Sequence, residues 1–199
     1  MAVLAATEQE ADQLLQSCGA LEFGHYLLSS GLHSDRYVQV ARVSEDPRML
    51  EQVGQKVGAV CAQYGASLVV SPALGAVLFG HELARALGVR HAFAERPEGK
   101  FELRRGFVVE PGERVLLAEN VITTGGSVLE VADLIRQLDG VIVGFASVID
   151  RSNGRFDPQE PHVTFAQVEA PTYDPKTCPL CAQGIPMTKP GSRTRFRIS

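Results

Sequence analysis

Helical and strand-like hydrophobic patterns take turns along this chain. Residues 7–18 carry Ala11, Leu14, Leu15 and Cys18 at helical spacing, and Thr7 with Glu10 forms a capping box at the start. A second helix is predicted from Asp46-Pro47, a cap followed by proline at the first helical position, with Leu50, Val53, Val57, Val60 and Cys61 on its apolar face. Then come a strand over 67–70, a helix over 76–87, strands over 91–94 and 114–118, a helix over 128–138 and a strand over 141–149. The central strand candidates are unbroken apolar runs, which suit a parallel sheet covered on both faces. Strands alternating with helices predict an α/β fold with right-handed crossovers. In such sheets ligands bind beyond the carboxyl ends of the strands. The residues just after 70, 94, 118 and 149 are therefore the places to look for chemistry.

The pattern changes near the end. Seven of the eleven prolines lie between Pro158 and Pro190. The stretch 171–199 holds Lys176, Lys189, Arg193, Arg195 and Arg197 against Asp174, a net +4, which leaves −8 for the rest of a chain whose total is −4. Proline at that density opposes helix and sheet alike, so 171–199 reads as an irregular basic arm on a compact body of residues 1–170. The acidic body argues against a general nucleic-acid binder. No apolar run reaches the ~20 residues of a membrane span. The first residues lack the basic leader of a signal peptide, and four cysteines in 199 residues are too few for a disulfide framework. A reducing cytoplasm is the expected setting. Cys18 and Cys61 fall on apolar helix faces and read as core. Cys178 and Cys181 have the spacing of a zinc half-site or a redox pair, with His162 the histidine nearest in sequence. Two ligands, or three, leave such a site short unless another subunit completes it, and a structural role in the arm is expected.

The segment VLLAENVITTGGS (115–127) carries the clearest chemistry. A buried strand ends in Glu119 and Asn120, and Thr123, Thr124, Gly125, Gly126 and Ser127 lead into a helix. Ser127 with Glu130 predicts a second capping box. Small residues at a helix N-terminus let backbone N–H groups face an anion, the helix dipole adds attraction, and the hydroxyls add donors. A phosphate is the natural guest. The patterns for nucleoside triphosphates and for dinucleotides are both absent. A carboxylate at Glu119 is placed to accept two vicinal hydroxyls of a sugar attached to that phosphate.

This segment resembles the phosphoribosyl-pyrophosphate (PRPP) signature of the type I phosphoribosyltransferases: an apolar strand, two acids, two apolar residues and a Thr/Gly/Ser loop. Asn120 stands where that family has its second acid. Other segments narrow the resemblance to the orotate phosphoribosyltransferases. Residues 23–43 resemble that family's N-terminal hood, with Ser29 where many members have lysine. SPALGAVLFG (71–80) lies at its pyrophosphate loop, ERPEGKFELRRG (95–106) at its mobile basic loop, and VIDRSNGR (148–155) at its orotate-binding strand end.

The resemblance implies a hood over roughly 1–45 and a core over roughly 46–155. It implies that Ala73, Leu74 and Gly75 hold pyrophosphate and that Arg96 and Lys100 close over it. Glu119 and Asn120 would hold the ribose hydroxyls, residues 123–127 the 5′-phosphate, and Arg151 with Thr123 the orotate. It also implies Mg²⁺ carried with PRPP, no metal ligands on the protein itself, and a homodimer whose basic loop serves the neighbouring subunit. The activity implied is phosphoribosyl transfer from PRPP to orotate, giving orotidine 5′-phosphate and pyrophosphate. Two alternatives stay open. A purine-type phosphoribosyltransferase has no use for the carboxylate clamp at Arg151. A non-catalytic PRPP-sensing regulator would accommodate Asn120, Ser29 and the basic arm.

Overall fold

The computed structural model of the protein describes residues 2–28 and 30–190, so Ser29 and the last three arginines of the arm lie outside the described residues. In chain order the elements are β1 (Val3–Leu4), α1 (Glu8–Ser17), β2 (Leu21–Leu27), β3 (His33–Val38), α2 (Pro47–Cys61), β4 (Leu68–Pro72) and α3 (Val77–Leu87). Next come β5 (Arg90–Glu95), β6 (Glu102–Leu103), β7 (Arg114–Ile122), α4 (Gly126–Gln137), β8 (Val141–Asp150) and β9 (His162–Gln167). The arm supplies β10 (Thr172–Tyr173), α5 (Pro179–Ala182) and β11 (Met187–Thr188). The first two of the three cap signals work as expected. Thr7 and Glu10 exchange backbone hydrogen bonds at the start of α1, and Asp46 accepts from the Arg48 N–H at the start of α2.

The main sheet has seven strands in the order β1-β9-β8-β7-β4-β5-β6. Every neighbouring pair is parallel except β5 with β6. Its continuous apolar strands are covered on both faces, as the pattern predicts. Val69, Leu116, Ala118, Ala146 and Val148 pack with Val53 and Val57 of α2 and with Phe79 and Leu83 of α3. Leu68, Val70, Leu117 and Phe145 pack with Val128, Val131 and Ile135 of α4. Strand β4 is followed in sequence by its neighbour β5 on one side, and later by β7 on the other. The chain thus reverses direction across the sheet between β4 and β7, and a crevice opens beyond their carboxyl ends at that point.

A second sheet of four strands, in the order β10-β3-β2-β11, stands apart from the main one. Its centre is the β2–β3 hairpin, and the arm adds one short strand to each edge. The arm is thus less irregular than its prolines predict, because a sheet edge tolerates the missing donors. The first strand, grouped with the hood by resemblance, hydrogen-bonds instead to the main sheet through Val3 and Val163. The sequence pattern also passed over β9, a run of six residues bracketed by prolines yet buried along its first five.

Candidate functional site

Four turns leave the carboxyl ends of β4, β5, β7 and β8, and they meet around the crevice. The turn after β7 is the phosphate-loop candidate. Gly125 has φ +78°, and a Cβ there would stand 2.2 Å from Cδ2 of Phe156. Glycine is required twice over, by the left-handed backbone and by the ring laid against it. The helix then starts at Gly126, and the Leu129 N–H donates to the Gly125 carbonyl at 2.9 Å. This corrects the expected cap. Gly125 is the N-cap, and Ser127 lies inside the first turn, where it does not cap. Thr124 Oγ1 accepts from the Gly126 N–H at 3.4 Å. Thr123, Thr124, Gly126 and Ser127 are exposed at the positive end of α4.

Glu130, the other half of the expected cap, points away from that role. Its carboxylate accepts the Phe101 N–H at 3.0 Å and pairs with Arg96. Arg96 also lies over the Phe101 ring, 4.2 Å from its centroid. Strands β5 and β6 make the basic segment a hairpin, Glu95 facing Glu102. Arg105 pairs with Glu95 at 2.8 Å. Arg96 is thus held on its own chain's α4, whereas the resemblance implies a cation available to pyrophosphate. Lys100 stands exposed at the hairpin turn. His91 is a strand residue, as expected. Its Nε2 lies 2.9 Å from Ser71 Oγ, and burial drops its pKa to about 4.

Glu119 and Asn120 lie within β7, which runs on to Ile122 rather than ending at 118. Successive strand residues face opposite ways. Glu119 therefore looks into a cavity of about 390 Å³ lined by residues 123–127 with Arg96, Val121 and Glu130. Asn120 looks the other way, toward the turn after β4, where a Cβ on Gly75 would stand 2.8 Å from the Asn120 Nδ2. Glu119 is 8% exposed, and burial pushes its carboxyl up to about 7 against a single opposing bond from the Asn120 N–H at 2.9 Å. Asn120 Oδ1 accepts from the Val121 N–H at 2.8 Å.

The turn 73–75 begins with the Ala73 N–H donating to the Ala94 carbonyl at 2.7 Å. Leu74 is 85% exposed and Gly75 is exposed as well. Across the sheet, β7 and β8 end in register, Ile122 beside Asp150. The Arg151 N–H donates to the Ile122 carbonyl at 2.7 Å, which sets Arg151 next to Thr123. The Arg151 Nε is buried with no hydrogen-bond partner, and burial lowers the guanidinium pKa. A guanidinium with a buried Nε lacking a partner is suited to a planar anion such as a carboxylate. The structure brings Glu119, Arg96 and residues 123–127 into one cavity, while Arg151 is tied by its backbone to Ile122 just before that loop and Asn120 meets Gly75 on the other face of β7, none of these three lining the cavity. Lys100, Ala73 and Leu74 do not line it. Phe156 and Phe101 are the supports that sequence reasoning passed over, since aromatic packing leaves no mark in the spacing, while Glu130, expected in a cap, ties the hairpin to α4 instead.

The phosphoribosyl transferase domain family matches residues 48–174. An orotate phosphoribosyltransferase of Thermotoga maritima is 47% identical over 181 residues, covering 91% of this chain and 97% of that one. The orotate phosphoribosyltransferase of Pelotomaculum thermopropionicum is 46% identical over 187 residues, covering 94% and 98%. Among solved structures, a Mycobacterium tuberculosis orotate phosphoribosyltransferase in complex with inorganic phosphate has a TM-score of 0.66 at 24% identity, covering 80% of this chain and 95% of that one. An adenine phosphoribosyltransferase from Thermoanaerobacter pseudethanolicus has a TM-score of 0.59 at 17% identity, covering 67% and 88%. The fold is thus common to proteins named for different bases, and the distinction comes from the sequence relatives. With a family match over more than half of its length and relatives of nearly the same extent, the chain belongs to the orotate phosphoribosyltransferases.

Proposed function

We infer that this enzyme transfers the phosphoribosyl group of PRPP to orotate in the crevice beyond β4 and β7. The bond from the anomeric carbon to pyrophosphate breaks, a bond to the orotate ring nitrogen forms, and that nitrogen loses its proton. Positive charge grows on the ribose and negative charge on the leaving group, so the catalyst works by placing charge and donors. In this reading residues 123–127 hold the 5′-phosphate at the N-terminus of α4. Glu119 accepts the ribose hydroxyls, whereas Asn120, on the opposite face of β7, lies against the Gly75 turn rather than sharing that role. Ala73, Leu74 and Gly75 offer backbone N–H groups to pyrophosphate, and Arg151 with Thr123 receives orotate. The observation that carries the choice of base is the buried, unpartnered Nε of Arg151 next to the phosphate loop. A neutral purine offers the guanidinium only uncharged acceptors, whereas a carboxylate offers a charge-assisted, two-oxygen partner.

One buried carboxylate, Glu119, fits a Mg²⁺ held mainly by PRPP oxygens and water rather than by a protein cage. When bound with PRPP the ion would neutralise charge on pyrophosphate. We also take the enzyme to be a cytoplasmic homodimer in which Lys100 serves the partner's crevice. No helix among the described residues is long and apolar enough to cross a membrane. The test is base consumption with PRPP and Mg²⁺, offering orotate, adenine, hypoxanthine and uracil in turn. Turnover of orotate alone is expected. Turnover of a purine in preference to orotate would overturn the assignment of Arg151.

A further inference from the structure

Away from the crevice, four side chains of metal-binding type converge on the small sheet: His25, His33, Cys178 and Cys181. We propose that they form a structural Zn²⁺ site, with His25 Nε2, His33 Nδ1 and the two cysteine sulfurs as ligands, that fastens the arm to the β2–β3 hairpin. The two histidines lie on neighbouring strands, and β10 and β11 run beside them, Tyr173 opposite His33 and Met187 opposite His25. The Cys-x-x-Cys turn joins β10 to β11 and so sits over both rings. Sequence spacing pointed to His162, which is instead bonded to Ser147 within the main sheet.

The four ligand atoms all lie within 4.8 Å of one another. His25 Nε2 is 2.9 Å from His33 Nδ1 and 3.7 Å from each sulfur, and Cys181 Sγ is 3.4 Å from His33 Nδ1. Tetrahedral zinc with Zn–N of about 2.0 Å and Zn–S of about 2.3 Å sets its ligands roughly 3.3–3.8 Å apart. The four closer pairs fall within about half an ångström of those spacings, and the widest must draw in by up to about 1 Å to centre the ion. Hydrogen bonding alone explains the cluster poorly. His25 Nδ1 is 2.8 Å from the Ile185 carbonyl, so it carries the proton and Nε2 keeps a single lone pair. One imidazole nitrogen and two sulfurs crowd that lone pair, whereas one cation would satisfy all four atoms. The same carbonyl bond orients the ring and fixes its tautomer, as partners of zinc-bound histidines do.

The arm also needs a fastening. Across 171–190 Cys178 is the only buried residue, and the two arm strands have two residues each, so hydrophobic burial holds little of it. On binding, two S–H bonds give way to two Zn–S bonds and both protons go to solvent.

The test uses the full chain, expressed with zinc, purified under reductant and dialysed. Elemental analysis should find about one zinc per chain, the complement of one four-ligand site. Cys181→Ser, at an exposed position, and His33→Asn should each weaken zinc binding by at least the ~10–100-fold seen when even an outer partner of a zinc ligand is lost. Metal-free wild type titrated with Co²⁺ should develop tetrahedral visible bands and thiolate charge-transfer absorption, which needs no variant to fold. Chelation should open the arm to trypsin after Lys176, before Thr177. Reduced wild type that carries no zinc and gives no such Co²⁺ spectrum would overturn the proposal. So would a Cys178–Cys181 disulfide whose reduction restores no metal binding.

Discussion

Glu119 and Arg151 are charged groups drawn out of water on either side of one loop, and burial moves their pKa values in opposite directions. For Arg151 the consequence lies in binding. Arg151→Ala should raise the orotate KM by the equivalent of about 2–5 kcal/mol, the usual loss for one partner of a buried charge pair, while PRPP binding survives. Steady-state kinetics with each substrate varied would check this, and an unchanged orotate KM in a folded variant would count against the clamp. For Glu119 the consequence lies in stability. Its folded pKa of about 7 stands above the ordinary 4.5, so the folded state prefers the protonated form. Below pH 4.5 both states are protonated and nothing is lost. As pH rises from 4.5 to 7 the unfolded carboxyl ionises first, and the fold loses up to about 3 kcal/mol. Glu119→Gln removes this dependence. Its Tm relative to wild type should therefore climb between those pH values and level off above them. A difference that stays flat with pH would mean that burial is not what perturbs the carboxyl.

At the scale of elements, the site depends on how β7 hands over to α4. Gly125→Ala would put a Cβ into the Phe156 ring and force a left-handed φ, so the first turn of α4 must shift. The backbone term alone costs about 1–2 kcal/mol and overpacking about 1–3 more. A lower Tm together with loss of inorganic phosphate binding is expected, and intact phosphate affinity would show that the loop does not hold the anion. This junction also marks how far the sequence could be read. Unbroken apolar runs announced β4, β7 and β8, and small residues announced the loop, because burial and anion binding each select residue types at fixed spacing. The cap was misread because Ser127 and Glu130 satisfy the capping pattern, while the left-handed Gly125 and the pull of Arg96 and Phe101 on Glu130 decide the outcome. Those are long-range contacts, and periodicity does not encode them. Strand β9 was hidden by its flanking prolines. The meeting of His25 and His33 with the cysteines was hidden because the partners are more than 140 positions apart.

At the scale of the whole molecule, the basic hairpin divides into a root and a tip, and the two parts should serve different crevices. At the root, Arg96 is tied to Glu130 and lines the cavity of its own chain. At the tip, Lys100 is exposed beside Gly99, whose φ of +88° turns the chain. If the enzyme is a homodimer whose hairpin tip reaches the neighbouring crevice, complementation will separate these roles. A Lys100→Ala chain paired with a Glu119→Ala chain carries one intact site, since the first keeps its own Glu119 and receives Lys100 from its partner. Random exchange makes half of the dimers hybrid with one working site of two, so about a quarter of wild-type activity should return. An Arg96→Ala chain paired with the same Glu119→Ala chain should recover nothing, because each site then lacks one residue supplied by its own chain. Measuring orotate turnover before and after subunit exchange checks both arms at once. Recovery in neither arm would confine Lys100 to its own chain or remove it from catalysis, whereas recovery in both would mean that the Arg96–Glu130 pair opens and the whole hairpin crosses to the partner.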